Sequence, residues 1–502
     1  MTFVSFVLAA SFACPMERVD SLDPAKAQSS YDARAVSLVY ETPLEIDYRA
    51  RPYALAPGLC ELPEVSEDRL KYVFKMAKGA ALKSGDVKMA IDRLRDPDRP
   101  SPGRWTVKRV ASTETPDDET LVVTLSSPQH VFPWMLALAN CAVPAADGSG
   151  TGPYRLASWW RNHEMVFVRN PDWRGWAATA ASDAAAGVKP YDEIRYLVID
   201  DPSTAWLMFL RGEIDWMGTI SRDNWSAVVD KNGRATPQLE SAGKLLCGGG
   251  DAIEIRYIGF NMEDPVVGKN KKLRQALSCA FDFGAWSEFY NNSIASANGP
   301  VPRCVAGRLE TPSPYGYDLE KAKRLLAEAG YPGGIDPATG RRLVLSLSIG
   351  RPTQDSREAG ELIAGFFAKA GVLLELDFRT WESFLSAVCR NETQMYMMAW
   401  VGDYPDAENF LQLFHSSNRN PGPNHSNYSS AAFDRLYDAA MSAPDEARRD
   451  ELWRESQKVL QEDCPWIFTH ITKNYSLADK SVLNYIPSDF PYGFEKYLRT
   501  AK

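Results

Sequence analysis

Residues 342–401 constrain the fold more than any other stretch, because strand and helix patterns alternate through them. Leu343, Leu345, Leu347 and Ile349 alternate with smaller or polar neighbours, the period of a strand. Leu362, Ile363, Phe366, Phe367 and Ala370 then fall on a helical stripe, which Ser356 can cap and Gly371 can end. Val372, Leu374, Leu376 and Phe378 define a second strand, 381–390 a second helix and 395–401 a third strand. A β-α-β-α-β run of this kind implies parallel pairing with right-handed crossovers, and so an α/β domain.

The chain has 502 residues, more than one ordinary core supports. Breaks fall at 96–103, 145–152, 247–251, 330–342 and 418–427. Further helices are expected over 272–283, over 319–329 with Asp318 as cap, and from Asp201 and Pro202 to Gly212. The alanine-rich stretch 177–187 reads as a surface loop or short helix. No stretch reaches the roughly 18 apolar residues that a membrane-spanning helix needs. A net charge of -9 sets aside sequence-independent nucleic-acid binding, which needs a basic surface.

Catalytic and metal templates fail in turn. The eight cysteines contain no C-x-x-C pair, so buried free thiols are the default, with one or two disulfides left open. The histidines at 130, 163, 415, 425 and 470 form no H-E-x-x-H and no i, i+4 pair, so neither metal nor cofactor is expected. The glycine-rich segment 148–152 lacks the Lys-Ser/Thr of a phosphate loop and is no G-x-S-x-G elbow. Nothing demands an enzyme.

Two features stay open on residues alone. The apolar run 3–13 reads either as a signal peptide, with Cys14 at a lipoprotein junction, or as a buried first strand; no Lys or Arg precedes it. At 400–406, Asp403 sits at the C-terminal edge of an expected buried strand, where α/β folds place ligand sites, with Trp400 and Tyr404 beside it. Asp403 can equally cap the turn that follows.

Motifs along almost the whole length resemble the family 5 extracellular solute-binding proteins, the peptide- and nickel-type receptors of ABC importers. They include Ser21-Leu-Asp-Pro24, Val65-Ser-Glu-Asp68, Gly150-Thr-Gly-Pro-Tyr154, Arg169-Asn-Pro-Asp-Trp173 and Leu210-Arg-Gly-Glu-Ile-Asp215. Tyr257-Ile-Gly-Phe-Asn261, Leu273-Arg-Gln-Ala-Leu277, the 400–413 segment and Asn427-Tyr-Ser429 continue the order. Each is weak alone; their order is specific. Two departures stand out: Arg69 replaces a usual glycine, and the segment before the first helix of the small lobe is shortened to 83–87.

The resemblance implies an α/β, two-lobed periplasmic-binding-protein fold with an extra small lobe, mixed β-sheets flanked by helices, and a ligand cleft between lobes. Lobe I would combine 1–40, 150–250 and 469–502; lobe II would be 41–149 and lobe III 251–468. It implies a monomeric, non-enzymatic receptor in the periplasm or outside the cytoplasm, anchored through Cys14 if the lipoprotein reading holds. Its partners would be a peptide ligand and the transmembrane subunits of an ABC permease, with nickel chelates, opines or oligosaccharides as alternative cargo. Asp403 would pair with the ligand's α-amino group. Trp400, Val401 and Gly402 would offer strand backbone, and Trp400 and Tyr404 apolar walls.

Overall fold

The structure, a computed structural model, describes residues 9–420, 422–443, 445–490 and 492–501. The chain divides into two compact units, residues 1–249 with 474–502 and residues 250–473.

In the first unit, β1 (Ser11–Met16) precedes helix α1 (Ser30–Val39). A small antiparallel sheet follows, built from β2 (Glu64–Val65), β3 (Lys71–Lys75), β4 (Val110–Asp117) and β5 (Thr120–Leu125) in the order β2-β3-β5-β4. Helix α2 (Ser84–Arg95) joins its core with Val87, Ile91 and Leu94, against Tyr72, Phe74 and Leu121. Arg69 adopts φ 54 and donates its N–H to the Ser66 carbonyl at 2.8 Å. The left-handed turn that glycine favours is therefore kept with an arginine in place.

The chain returns through β6 (Tyr154–Trp160), β7 (Glu164–Arg169) and β8 (Glu193–Val198), giving a four-stranded sheet β1-β8-β7-β6 in which β1 runs parallel to β8. The glycine-rich segment is a close approach. A Cβ on Gly150 would lie 2.0 Å from the Val39 carbonyl oxygen, and the Gly152 N–H donates to that oxygen at 2.9 Å. Stretch 177–187 belongs to an exposed helix, Gly175–Ala186, ended by Gly187 at φ 65.

Residues 3–8 of the apolar run lie outside the described residues. Its end forms β1, where Phe12 and Cys14 have no exposed surface. Cys14 is a core thiol that accepts a hydrogen bond from Arg34 at 3.3 Å.

In the second unit, β9 (Glu254–Phe260) leads into helices α3 (Lys271–Ala280) and α4 (Leu319–Glu328). The alternating run is β10 (Val344–Gly350), α5 (Gln354–Ala370), β11 (Leu373–Arg379), α6 (Trp381–Cys389) and β12 (Met395–Val401). Then come α7 (Ala407–Leu411), α8 (Glu446–Asp463) and β13 (Trp466–Asp479), whose residues 466–473 lie in this unit. The order β13-β9-β12-β10-β11 is mixed: β10 is parallel to β11 and β12, while β9 is antiparallel to its neighbours. Leu345, Leu347, Ile363, Phe366 and Phe367 form the core beneath α5.

Two helix expectations need correction. Thr353, not Ser356, caps α5, its side chain accepting from the Ser356 N–H at 3.2 Å. The helix expected over 272–283 stops at Ala280, because the Asp282 side chain caps a new helix from Phe283 by accepting from the Ala285 N–H at 3.1 Å. No helix among the described residues is long and apolar enough to cross a membrane.

Candidate functional site

The site follows from where β12 loses a partner. Its ladder with β10 runs only from Met395 to Met397, since β10 ends at Gly350 and turns into α5. Its ladder with β9 continues to Val401 opposite Glu254. On the β10 side, then, no strand among the described residues pairs with β12 beyond Met397.

Which groups face that open edge follows from alternation. The Gly402 N–H donates to the Ile253 carbonyl at 2.8 Å, so positions 402, 400 and 398 spend their backbone on β9. Ala399 and Val401 turn theirs to the open edge, and the Val401 side chain is 58% exposed. Of the residues expected to offer strand backbone, Val401 faces the open edge, as does Ala399, while Trp400 and Gly402 face β9. Gly402 serves packing, because a Cβ there would sit 2.5 Å from the Ile253 side chain and 2.9 Å from the Phe410 ring.

Asp403 follows directly, part-buried. Its Oδ2 accepts from the Asn409 amide at 3.3 Å, and no cationic side chain among the described residues pairs with its carboxyl. Burial pushes that carboxyl up to about 6; the Asn409 bond opposes the shift and the nearby Glu408 charge adds to it. Asn409 also accepts from the Trp400 indole N–H at 2.9 Å and the Asp403 N–H at 3.2 Å, leaving Trp400 half-buried beside the carboxyl.

Tyr404 is not a wall. It is 1% exposed, and its hydroxyl donates to Glu408 at 2.6 Å, a carboxylate that also accepts from Tyr437 at 2.7 Å. Asp406 rather than Asp403 caps the following segment, accepting from the Glu408 N–H at 2.8 Å. Arg449 holds Asp406 through two bonds of 2.7 and 2.8 Å.

Sequence reasoning missed Arg351 at the C-terminal end of β10; Arg379, at the end of β11, is paired with Asp377 at 2.5 Å. Arg351, exposed and at φ 61, donates its N–H to the Arg379 carbonyl at 3.0 Å, and its guanidinium lies 5.9 Å from the exposed Trp381 ring. The capped N-termini of α5 and α6 open at the same end of the sheet. The available signal was Arg351-Pro352 directly after a strand.

Among the described residues, then, a carboxyl without a cationic partner lies beside a strand edge without a pairing strand, with Arg351 at the end of the neighbouring strand. The sequence model of the bacterial extracellular solute-binding proteins, family 5 Middle, matches residues 54–422, and the chain belongs to this family. The heme-binding protein A of Haemophilus influenzae is 24% identical over 489 residues, covering 89% of this chain and 84% of its own. The dipeptide-binding protein of Escherichia coli is 23% identical over 502 residues, covering 91% and 88%. Among solved structures, the ABC transporter-associated periplasmic binding protein DppA from Helicobacter pylori, in complex with the peptide STSA, superposes with a TM-score of 0.79 at 21% identity and 98% coverage of both chains. That likeness shows the fold, that of the periplasmic binding proteins.

Proposed function

We propose that this chain is the substrate-binding receptor of an ABC import system, capturing di- and oligopeptides outside the cytoplasmic membrane and delivering them to the permease. The observation that carries the reading is Asp403, a part-buried carboxyl that, among the described residues, has no cationic partner and lies beside a strand edge without a pairing strand. A peptide's α-amine, with a pKa near 8, is charged at neutral pH and supplies the missing cation. Ala399 and Val401 offer backbone hydrogen bonds that ignore side-chain identity, as in strand addition. Arg351 supplies positive charge for an anionic group of the ligand. The relatives that bind a dipeptide and the peptide STSA support this cargo.

The receptor acts as a monomer without catalysis, divided into lobe I (1–40, 150–250, 469–502), lobe II (41–149) and lobe III (251–468). Incubating the purified protein with a pool of di- to pentapeptides, followed by native mass spectrometry, tests the reading. Intact peptides retained on the protein are expected. Cleavage products, or retention of no peptide, would overturn it.

A further inference from the structure

The geometry points to Asn409 as a positioning residue for the ligand's ammonium: its amide fixes one oxygen of Asp403 and leaves the other for the ligand. This rests on the reading that Asp403 meets an α-amine.

Asn409 has no exposed surface, yet three of its polar contacts serve the site. Its Oδ1 accepts from the Trp400 indole and from the Asp403 backbone, which fills both lone pairs. Its Nδ2 donates to Asp403 Oδ2 at 3.3 Å. The amide has one workable orientation, because a flipped side chain would set its NH2 against two N–H donors. A single side chain thereby locks the indole, the strand-end backbone and the carboxyl together.

The chemistry of that lock matters. Lysine or arginine in this place would neutralise Asp403 before any ligand arrived. A neutral donor orients the carboxyl and keeps its charge. Among the described residues the neighbouring ionisable groups offer no substitute cation: Glu408 on α7 is a carboxyl accepting from two tyrosine hydroxyls, and Arg449 on α8 is committed to Asp406. The ligand must bring the positive charge.

Asn409→Asp separates this role from packing. The substituted carboxylate keeps the shape and can accept from the Trp400 and Asp403 N–H groups. It loses only the donor to Asp403 and places a second carboxyl within hydrogen-bond distance, so that a proton is shared between them. The test measures capture by the full-length protein of a free-amine di- to pentapeptide pool against the same pool N-acetylated, from pH 5 to 8. In the parent, free amines are preferred. In Asn409→Asp that preference falls tenfold or more, and the pH at which binding is half-lost moves upward. Asn409→Ser, measured the same way, takes its place if the aspartate variant does not fold; the preference falls there too. A variant that weakens both pools equally and keeps the parent's preference overturns the positioning role alone. A parent that does not prefer free amines overturns the α-amine reading, and this inference with it.

Discussion

Two buried carboxylates, one in each unit, are treated in opposite ways. Glu495 in the first unit accepts from Arg34 at 2.6 Å and from the Tyr196 hydroxyl at 2.6 Å. The Arg34 guanidinium lies 4.6 to 5.0 Å from the Phe494, Trp216 and Tyr196 rings. Arg34 and Glu495 thus answer each other's charge within the fold, through one carboxylate oxygen. Asp403 in the second unit, part-buried, has a neutral amide and, among the described residues, no cationic partner. Burial costs a carboxylate free energy in both places. Arg34 offsets that cost for Glu495 on folding, whereas under the proposed function a ligand's ammonium would offset it for Asp403.

The largest expected effect is on the answered charge. Arg34→Leu strands Glu495 and should lower unfolding free energy by about 3–5 kcal/mol in denaturant titration. Unchanged stability would break the comparison. Asp403→Asn should do the reverse: the fold persists, while affinity for free-amine peptides drops about a hundredfold or more in calorimetry. N-acetylated peptides should lose as much against the parent and little further against the variant.

Next comes pH. The Asp403 pKa in the fold, about 6, lies above its ordinary 3.8, so the folded state holds the proton more tightly. Its charge therefore costs stability above about pH 6, and the cost vanishes as pH falls toward 3.8. Without peptide, Asp403→Asn should be more stable than the parent by about 2 kcal/mol at pH 7.5 and equal to it near pH 4. A variant less stable at pH 7.5 would mean that Asp403 is already compensated. The smallest effect is expected from Tyr404→Phe, which removes one bond to Glu408: stability falls by about 1 kcal/mol and peptide affinity stays within twofold. A large affinity loss would restore Tyr404 as a ligand wall.

Much of this was legible in the residues. The alternation at 343–349 marks β10 because strand periodicity is local, and the apolar run 395–401 marks β12. Asp318 and Gly371 bound their helices for the same reason. Asp403 was singled out by position and by resemblance, and the structure places it at the end of β12. The failures share a cause: local pattern does not reveal what the turn after a strand covers. An aromatic beside a charged strand end reads as a wall, but the turn at 404–408 folds Tyr404 onto Glu408. The bare edge of β12 depends on β10 ending first, a register fact no single segment carries. Asn409 stands six residues beyond Asp403 and joins it only through the geometry of α7.

The central claim is that Asp403 awaits a ligand cation. Selective carboxyl-carbon NMR of Asp403, titrated with pH in the free protein and with the tightest-binding peptide of the pool, tests it most directly. The midpoint is expected near 6 without peptide, falling below the ordinary carboxylate value when the peptide's ammonium is bound. A midpoint that stays put or rises on peptide binding would contradict it.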